Sequence, residues 1–104
     1  MKKELEQLIK IKVAISLNRL LERNSEHLLT DDKNNSTPTS YSQIGDSAEI
    51  RKATVSDIFN AKSIPRVDTL VLIIESMGYS IMDFSNEYSS ITNSEIIAFK
   101  ESKF

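Results

Sequence analysis

The sequence contains no cysteine and only one histidine, His27. The absence of cysteine excludes disulfide bonds and metal sites with thiolate ligands, and it fits a reducing compartment such as the cytoplasm. No stretch approaches the roughly 18 to 20 apolar residues that a membrane span requires. We therefore expect a soluble cytoplasmic protein with no membrane contact, no metal and no other cofactor.

Motifs of catalysis and of secretion are also missing. The chain has no glycine-rich phosphate loop, no Ser-His-Asp order and no nucleotide-binding fingerprint. Its N-terminal MKKELEQ mixes acids with lysines and has no small-residue cleavage site, so a signal peptide is not expected. The length of 104 residues fits one domain with at most an added arm. These features argue against an enzyme.

The formal net charge of −2 argues against a nucleic-acid partner until its distribution is considered. Residues 1–24 contain six Lys or Arg and three Asp or Glu, a net charge of +3. Residues 25–39 contain one Lys or Arg and three Asp or Glu, a net charge of −2. Residues 40–66 contain four Lys or Arg and three Asp or Glu (+1), and residues 67–104 contain two Lys or Arg and six Asp or Glu (−4). Positive charge therefore collects near the N-terminus and in the central segment.

The N-terminal segment predicts one long helix, because it has no Gly or Pro from Lys3 to Arg23. Its apolar residues recur at helical spacings: Leu5, Leu8, Ile9, Ile11, Val13, Ala14, Ile15, Leu17, Leu20 and Leu21. This apolar surface is wider than one buried face requires. The simplest interpretation is a core helix with a frayed extension. The alternatives are that the extra surface contacts a second subunit or the C-terminal tail.

The segment Asn24 to Thr39 is polar and rich in turn residues, which predicts an exposed loop that is mobile near its centre. A loop of this length is often functional or disordered. Its potential metal ligands have no spacing that would place them on one helix face, so we expect a solvated loop: Glu26, His27, Asp31 and Asp32. Contact with a DNA backbone or a partner is the less favoured alternative.

Two short helices are predicted next. Ser40 is a candidate N-cap, and the apolar stripe of the second helix comprises Tyr41, Ile44, Gly45 and Ala48. Gly45 lowers helix propensity by roughly 1 kcal/mol relative to Ala, so close packing against another helix is the expected compensation. Ile50 is the expected buried residue of the turn. A third helix is predicted from Lys52 to Asn60, with Val55, Ile58 and Phe59 as its core residues.

The remaining pattern predicts three further helices. A fourth, amphipathic helix begins at Val67 or Asp68 after Pro65, and Gly78 closes it in a left-handed conformation. Its stripe comprises Leu70, Val71, Ile73, Ile74 and Met77. The fifth helix is capped by Ser80 and carries Ile81, Phe84 and Tyr88. A marginal terminal helix, Ser94 to Lys103, offers Ile96, Ile97 and Phe99.

This order of elements resembles the lambda-repressor-like helix-turn-helix fold, in particular the Cro and XRE family of bacterial and phage regulators. The resemblance covers Ser40 to Phe84 and part of helix one, a little over half of the chain. It depends on SYSQIG, on Ile50, on TVSDIFNAKSIP (Thr54 to Pro65) and on TLVLIIESMGYSIMDF. It implies an all-α, five-helix domain with a long first helix, an extended loop before helix two and a short C-terminal helix.

The implied domain organisation is a helix-turn-helix domain over residues 1–88, with the loop at 25–39 and the motif at 40–60, and a tail at 89–104. The sequence departs from the family at three places. Glu49 and Ala61 stand where the family usually has Gly, and the loop between helices one and two is longer by about a dozen residues. A left-handed Glu49 would be strained, or the turn is built differently.

In the family, the third helix enters the major groove and the second crosses the DNA backbone. The resemblance thus implies base contacts from Lys52, Ala53, Ser56 and Asp57. Asp57 is an acid beside phosphates, and it either pairs with cytosine or points away. The implied phosphate contacts come from Ser40, Tyr41, Gln43, Arg51, Asn60, Lys62 and Arg66. For each of these residues an ordinary solvated or capping side chain is the competing interpretation.

Two functional hypotheses follow. The first is a sequence-specific double-stranded DNA-binding regulator, a repressor or the antitoxin of a toxin pair, acting as a homodimer on an inverted repeat. The second is a protein interaction module that keeps the fold but binds DNA weakly, with a toxin or effector as partner. The acidic balance and Asp57 favour the second, and the helix-turn-helix pattern favours the first.

Overall fold

The computed structural model describes residues 2–30 and 38–103 of the chain. In these two ranges all the regular secondary structure is helical and there is no strand, which confirms the all-α class. The helices are α1 (Lys2–Thr30), α2 (Tyr41–Ala48), α3 (Lys52–Phe59), α4 (Val67–Ser76), α5 (Ile81–Ser89) and α6 (Asn93–Lys103). Among these helices none is both long and apolar enough to cross a membrane.

The first helix is longer than the sequence pattern predicts, because it continues beyond Arg23 to Thr30. The interpretation of 25–39 as a loop is therefore wrong for residues 25–30, while residues 31–37 lie outside the described part. The polar composition of this segment suggested a loop, but no Gly or Pro interrupts the chain before Pro38, so nothing in the sequence ends the helix at Arg23. Pro38 itself is buried, not exposed.

Asn24 explains why a polar residue can lie inside this helix. It is only 4% exposed, and its Nδ2 donates to the carbonyl oxygens of Pro38 (3.0 Å) and Met77 (3.1 Å). Its Oδ1 accepts from the Tyr79 hydroxyl at 3.0 Å. Burial raises the pKa of Tyr79, while the charge of Arg23 lowers it by a smaller amount. Asn24 therefore joins α1 to the chain before α2 and to the end of α4.

The main cluster is the larger of two apolar clusters and draws on the first five helices. It comprises the buried residues Val13, Leu17, Leu20, Ile44, Val55, Ile58, Phe59, Ile73, Ile74, Met77 and Phe84. The expected core positions of α3 are thereby confirmed. Ile50 packs against the cluster but is only half-buried, and Ile81 is 53% exposed instead of facing inward.

The ends of α4 and α5 follow the predicted local rules. Gly78 has φ 89° and closes α4 in the left-handed region, where glycine is favoured. Ser80 caps α5, because its side chain accepts from the Asp83 amide while the Asp83 carboxylate accepts from the Ser80 amide at 2.8 Å. These caps set the short connection between the two helices.

The second cluster lies on another face of α1. It comprises Ile11, Ala14, Ile15 and Ala61, against which Ile91, Ile96 and Phe99 pack. The last two of these belong to α6, so the C-terminal helix covers part of the wide apolar surface of α1. Ile97 is 56% exposed, so its assignment to the packed apolar face of α6 is wrong.

Candidate nucleic-acid interface

A three-residue turn, Glu49 to Arg51, joins α2 to α3. Glu49 has φ 59° and ψ 47°, and its amide donates to the Gly45 carbonyl, as does the Ile50 amide at 2.8 Å. Of the two alternatives for this turn, the left-handed Glu49 is therefore the one that occurs. A non-glycine residue in this region costs roughly 1–2 kcal/mol.

Gly45 makes the tight turn possible. A Cβ atom on Gly45 would lie 2.6 Å from the carbonyl oxygen of Ile50, a distance at which backbone would have to move. The close approach that compensates for glycine in α2 is thus to the backbone of the turn and of Lys52, the first residue of α3. The turn and the beginning of α3 are held close to α2 as a result.

The outer side of α3 carries the four residues predicted to contact bases. Lys52, Ala53 and Asp57 are exposed, and Ser56 is half-buried with its Oγ accepting from Asn60 Nδ2 at 3.3 Å. Within the described ranges neither Lys52 nor Asp57 forms an ion pair. The structure therefore brings these residues onto one accessible surface, on which a lysine and a carboxylate are both unpaired.

The beginning of α2 carries two of the predicted phosphate contacts. Ser40 is the N-cap, and its Oγ accepts from the Gln43 amide at 3.2 Å. The Gln43 Oε1 accepts from the amide (2.7 Å) and the hydroxyl (3.1 Å) of Thr39. Because only the oxygen of Gln43 is used, its Nε2 can still donate to an external acceptor.

Tyr41 and Asn60 connect the beginning of α2 with the end of α3. The rings of Tyr41 and Phe59 lie 4.9 Å apart between centroids at 46°. Burial raises the pKa of Tyr41, and a side-chain hydrogen bond with Asn60 lowers it less. Asn60 Nδ2 also donates to the Ser56 carbonyl at 2.8 Å. Both predicted phosphate contacts are thus already engaged in holding α2 and α3 together.

The remaining predicted phosphate contacts are exposed cations. Arg51 is the N-cap residue of α3 without a side-chain capping bond, and the Lys62 amide donates to the Asp57 carbonyl at 2.8 Å. Arg66 pairs with Asp68 at 3.3 Å, but their side chains are 84% and 65% exposed. Such a pair contributes little, so the Arg66 guanidinium can exchange it for another anion.

Ala61 lies between Asn60 and Lys62 and is the second residue at which the family pattern expects Gly. Its φ is 61°, in the left-handed region, and it is only 2% exposed. Its methyl group belongs to the second cluster. The loop after α3 is therefore held by the same apolar cluster that holds α6.

The sequence did not reveal how the arginines of α1 are used. The buried carboxylate of Glu87 pairs with both Arg19 and Arg23, and Glu95 at the beginning of α6 pairs with Arg19. These partners are more than 60 residues apart, so no local spacing could have predicted them. Two of the six cations of residues 1–24 are thus neutralised and do not extend the basic surface near α3.

The side chain of His27 and residues Asp31 and Asp32 lie outside the described part. No protein-family model, curated protein or solved structure matches this chain. The interpretation of this surface therefore depends on its own residues and geometry.

Proposed function

We propose that α1 to α5 form a lambda-repressor-like helix-turn-helix domain that binds double-stranded DNA in a sequence-specific manner as a transcriptional repressor. The observation that carries this proposal is the placement of α3. Its Val55, Ile58 and Phe59 are buried, while Lys52, Ala53 and Asp57 face solvent. A short helix that is anchored on one side and free on the other fits the major groove.

The outer side of α3 offers a specific set of base contacts. The Lys52 ammonium can donate to O6 and N7 of guanine, and the Ala53 methyl can contact the methyl group of thymine. The Asp57 carboxylate can accept from N4 of cytosine, and the Ser56 hydroxyl can donate or accept. The preferred half-site would therefore contain G·C pairs and a thymine.

Contacts with phosphates would position the helix without reading sequence. Gln43 Nε2 and Ser40 lie at the beginning of α2, where the helix dipole favours an anion. Arg51 and Lys62 flank α3 at its two ends and are both exposed. Together these groups would hold the backbone on both sides of the groove.

Selection of bound duplexes from a random double-stranded pool at low salt would test the proposal. We expect an enriched motif, and Lys52→Ala should cost about 1–3 kcal/mol while relaxing preference at one guanine. Lys62→Ala should weaken all sequences equally and reduce the salt slope by about one unit. Lys100→Ala, on α6, is the matched control and should change neither. The absence of any enriched motif would reject the proposal.

A second candidate function is a protein interaction module of the antitoxin type, with weak DNA binding and a toxin or effector as partner. It is favoured by the unpaired Asp57 on the outer side of α3 and by the neutralised Arg19 and Arg23. Salt separates the two functions. Binding through phosphates weakens steeply as salt rises, whereas a mainly apolar protein contact changes little.

A further inference from the structure

The N-terminal end of α1 extends beyond both clusters. None of the side chains of residues 3–10 is buried, and continuous burial begins near Ile11. In this extension Leu5, Leu8 and Ile9 are 61%, 37% and 42% exposed. Their spacing of three and four residues places them on one side of the helix. We call these three residues the N-terminal stripe.

The stripe is not the surface that α6 covers. α6 packs further along the helix, where Ile96 and Phe99 meet Ile11, Ala14 and Ile15. A helical extension of about two turns in which no side chain is buried is marginal in water. The three residues form one contiguous apolar patch, whereas exposed apolar residues scattered singly need no partner. The extension therefore has the character of a helix that completes its packing on another molecule.

We propose that a second copy of this chain packs on the N-terminal stripe, with the two α1 helices antiparallel. This inference rests on the proposed function, because one domain presents only one α3 and an inverted repeat needs two. A two-fold axis at the stripe satisfies the symmetry of such a pair, since the same residues contact each other from both sides.

The spacing along α1 supports this occupant. Asn18 Nδ2 donates to the carbonyl oxygen of Phe59 at 2.9 Å, which fixes the end of α3 to a known position on α1. The centre of the stripe lies about eleven residues before Asn18, or about 16 Å at 1.5 Å per residue. An antiparallel pair therefore separates its two Asn18 residues by about 32 Å along the axis and 8–10 Å across it. The overall separation of the two Asn18 residues is therefore close to the 34–36 Å between the centres of half-sites one turn of DNA apart.

Charge favours the antiparallel arrangement over a parallel one. The N-terminal end of a helix carries a partial positive charge, and Lys3 adds a full charge there. A parallel pair would bring two such ends together, whereas an antiparallel pair places Glu4 of each copy opposite Lys10 of the other. The nearby Lys12 is directed toward α5, since its Nζ lies over the Tyr88 ring. The two helix dipoles then also oppose each other favourably.

The available area sets the strength of the pair. Covering the stripe on both copies removes roughly 500 Å² from solvent, well below the ~1,200 Å² of a stable interface. The pair is therefore weak in free solution and is completed on DNA, where two adjacent half-sites raise the effective concentration of one copy for the other.

Disulfide cross-linking tests the pairing without DNA, because the chain has no cysteine of its own. Leu8→Cys lies near the two-fold axis and should form covalent dimers about a hundredfold faster than Asn86→Cys, an exposed control on α5. Adding Leu5→Lys to the first variant should abolish the difference. Equal rates for the two cysteine variants would overturn the inference.

DNA binding provides the second measurement, with duplexes recovered by the selection described above as the probe. Leu5→Lys combined with Ile9→Lys should leave single half-site binding unchanged and weaken binding to the inverted repeat by about ten- to a hundredfold. Leu72→Lys, an equally exposed leucine on α4, is the matched control and should leave both unchanged. Equal binding of the inverted repeat by wild type and the double variant would overturn the pairing. Rapid cross-linking without any selected DNA would support the pairing and reject the proposed function.

Discussion

The two apolar clusters of the molecule share α1 but differ in how they are built. The main cluster is closed, since Leu17, Ile44 and Phe59 have no exposed surface. The second cluster is covered on its outer side only by half-buried residues of the C-terminal segment, and α6 has no buried residue. The comparison indicates that the helices of the candidate interface depend on a fully buried core, whereas α6 is held by a contact that buries none of its side chains completely.

The largest expected effect comes from truncating side chains on the two faces of α1 that meet the two clusters. Leu17→Ala should lower the free energy of unfolding by about 3 kcal/mol or more, because the fully buried site cannot collapse. Ile15→Ala should cost about 2 kcal/mol or less, since the half-buried residues around it can move inward. Urea unfolding followed by circular dichroism measures both, and equal losses would refute the difference between the clusters.

The next effect concerns the ion pairs that hold α5 and α6 on α1. Glu87→Gln should cost about 1–2 kcal/mol, because a largely buried carboxylate with two arginine partners is lost. Glu95→Gln removes the ion pair between α6 and Arg19 of α1, so in this variant hydrogen exchange should accelerate in α6 more than in α3. Asp68→Asn, at the exposed pair with Arg66, is the control and should change stability by less than about 0.5 kcal/mol. A uniform acceleration of exchange would show that α6 is not separately held.

The two non-glycine residues that are left-handed in the described ranges, Glu49 and Ala61, allow a smaller but sharper comparison. Glu49→Gly should stabilise the protein by up to about 1 kcal/mol, because it relieves strain at an exposed turn residue. Ala61→Gly should be nearly neutral, because the same relief is offset by about 0.8 kcal/mol for the lost burial of one methyl group. Thermal unfolding of the two variants measures the difference, which would be absent if Ala61 did not support the second cluster.

The smallest effect is a dependence on alkaline pH that belongs to the main cluster alone. Burial raises the pKa of Tyr41 and of Tyr79 above the usual value of about 10. The unfolded chain then loses these protons first, so the contribution of the two tyrosines to stability is constant below about pH 10 and falls above it. Tyr41→Phe should flatten this fall in urea titrations. An unchanged fall in this variant would exclude Tyr41 as a contributor.

Much of the fold follows from local sequence signals. Ser40 and Ser80 marked the beginnings of α2 and α5, and Gly78 marked the end of α4, because capping depends on neighbouring residues. The end of α1 was not predictable in this way. Asn24 is helical because its amide is satisfied by Pro38, Met77 and Tyr79, none of which a local pattern connects to it.

For the candidate site, the sequence could predict which residues of α3 are exposed but not which side chains are already bonded within the protein. The alternation of buried and exposed residues in α3 separated Val55, Ile58 and Phe59 from Lys52, Ala53 and Asp57, and the structure agrees with this division. The engagement of Tyr41 and Asn60 could not be predicted, since it depends on how α2 and α3 cross. The loss of basic charge at Arg19 and Arg23 likewise depends on a contact with α5.

The two asparagines of α1 have a further consequence for the register of the fold. Between Ile11 and Leu21 this helix buries apolar residues on two faces, so apolar packing alone would set its register weakly. Asn18 must meet the Phe59 carbonyl and Asn24 the Met77 carbonyl, and a slipped helix would leave those amides unsatisfied. Leucine at both positions would keep the apolar packing but remove the information that aligns α1 with α3 and α4.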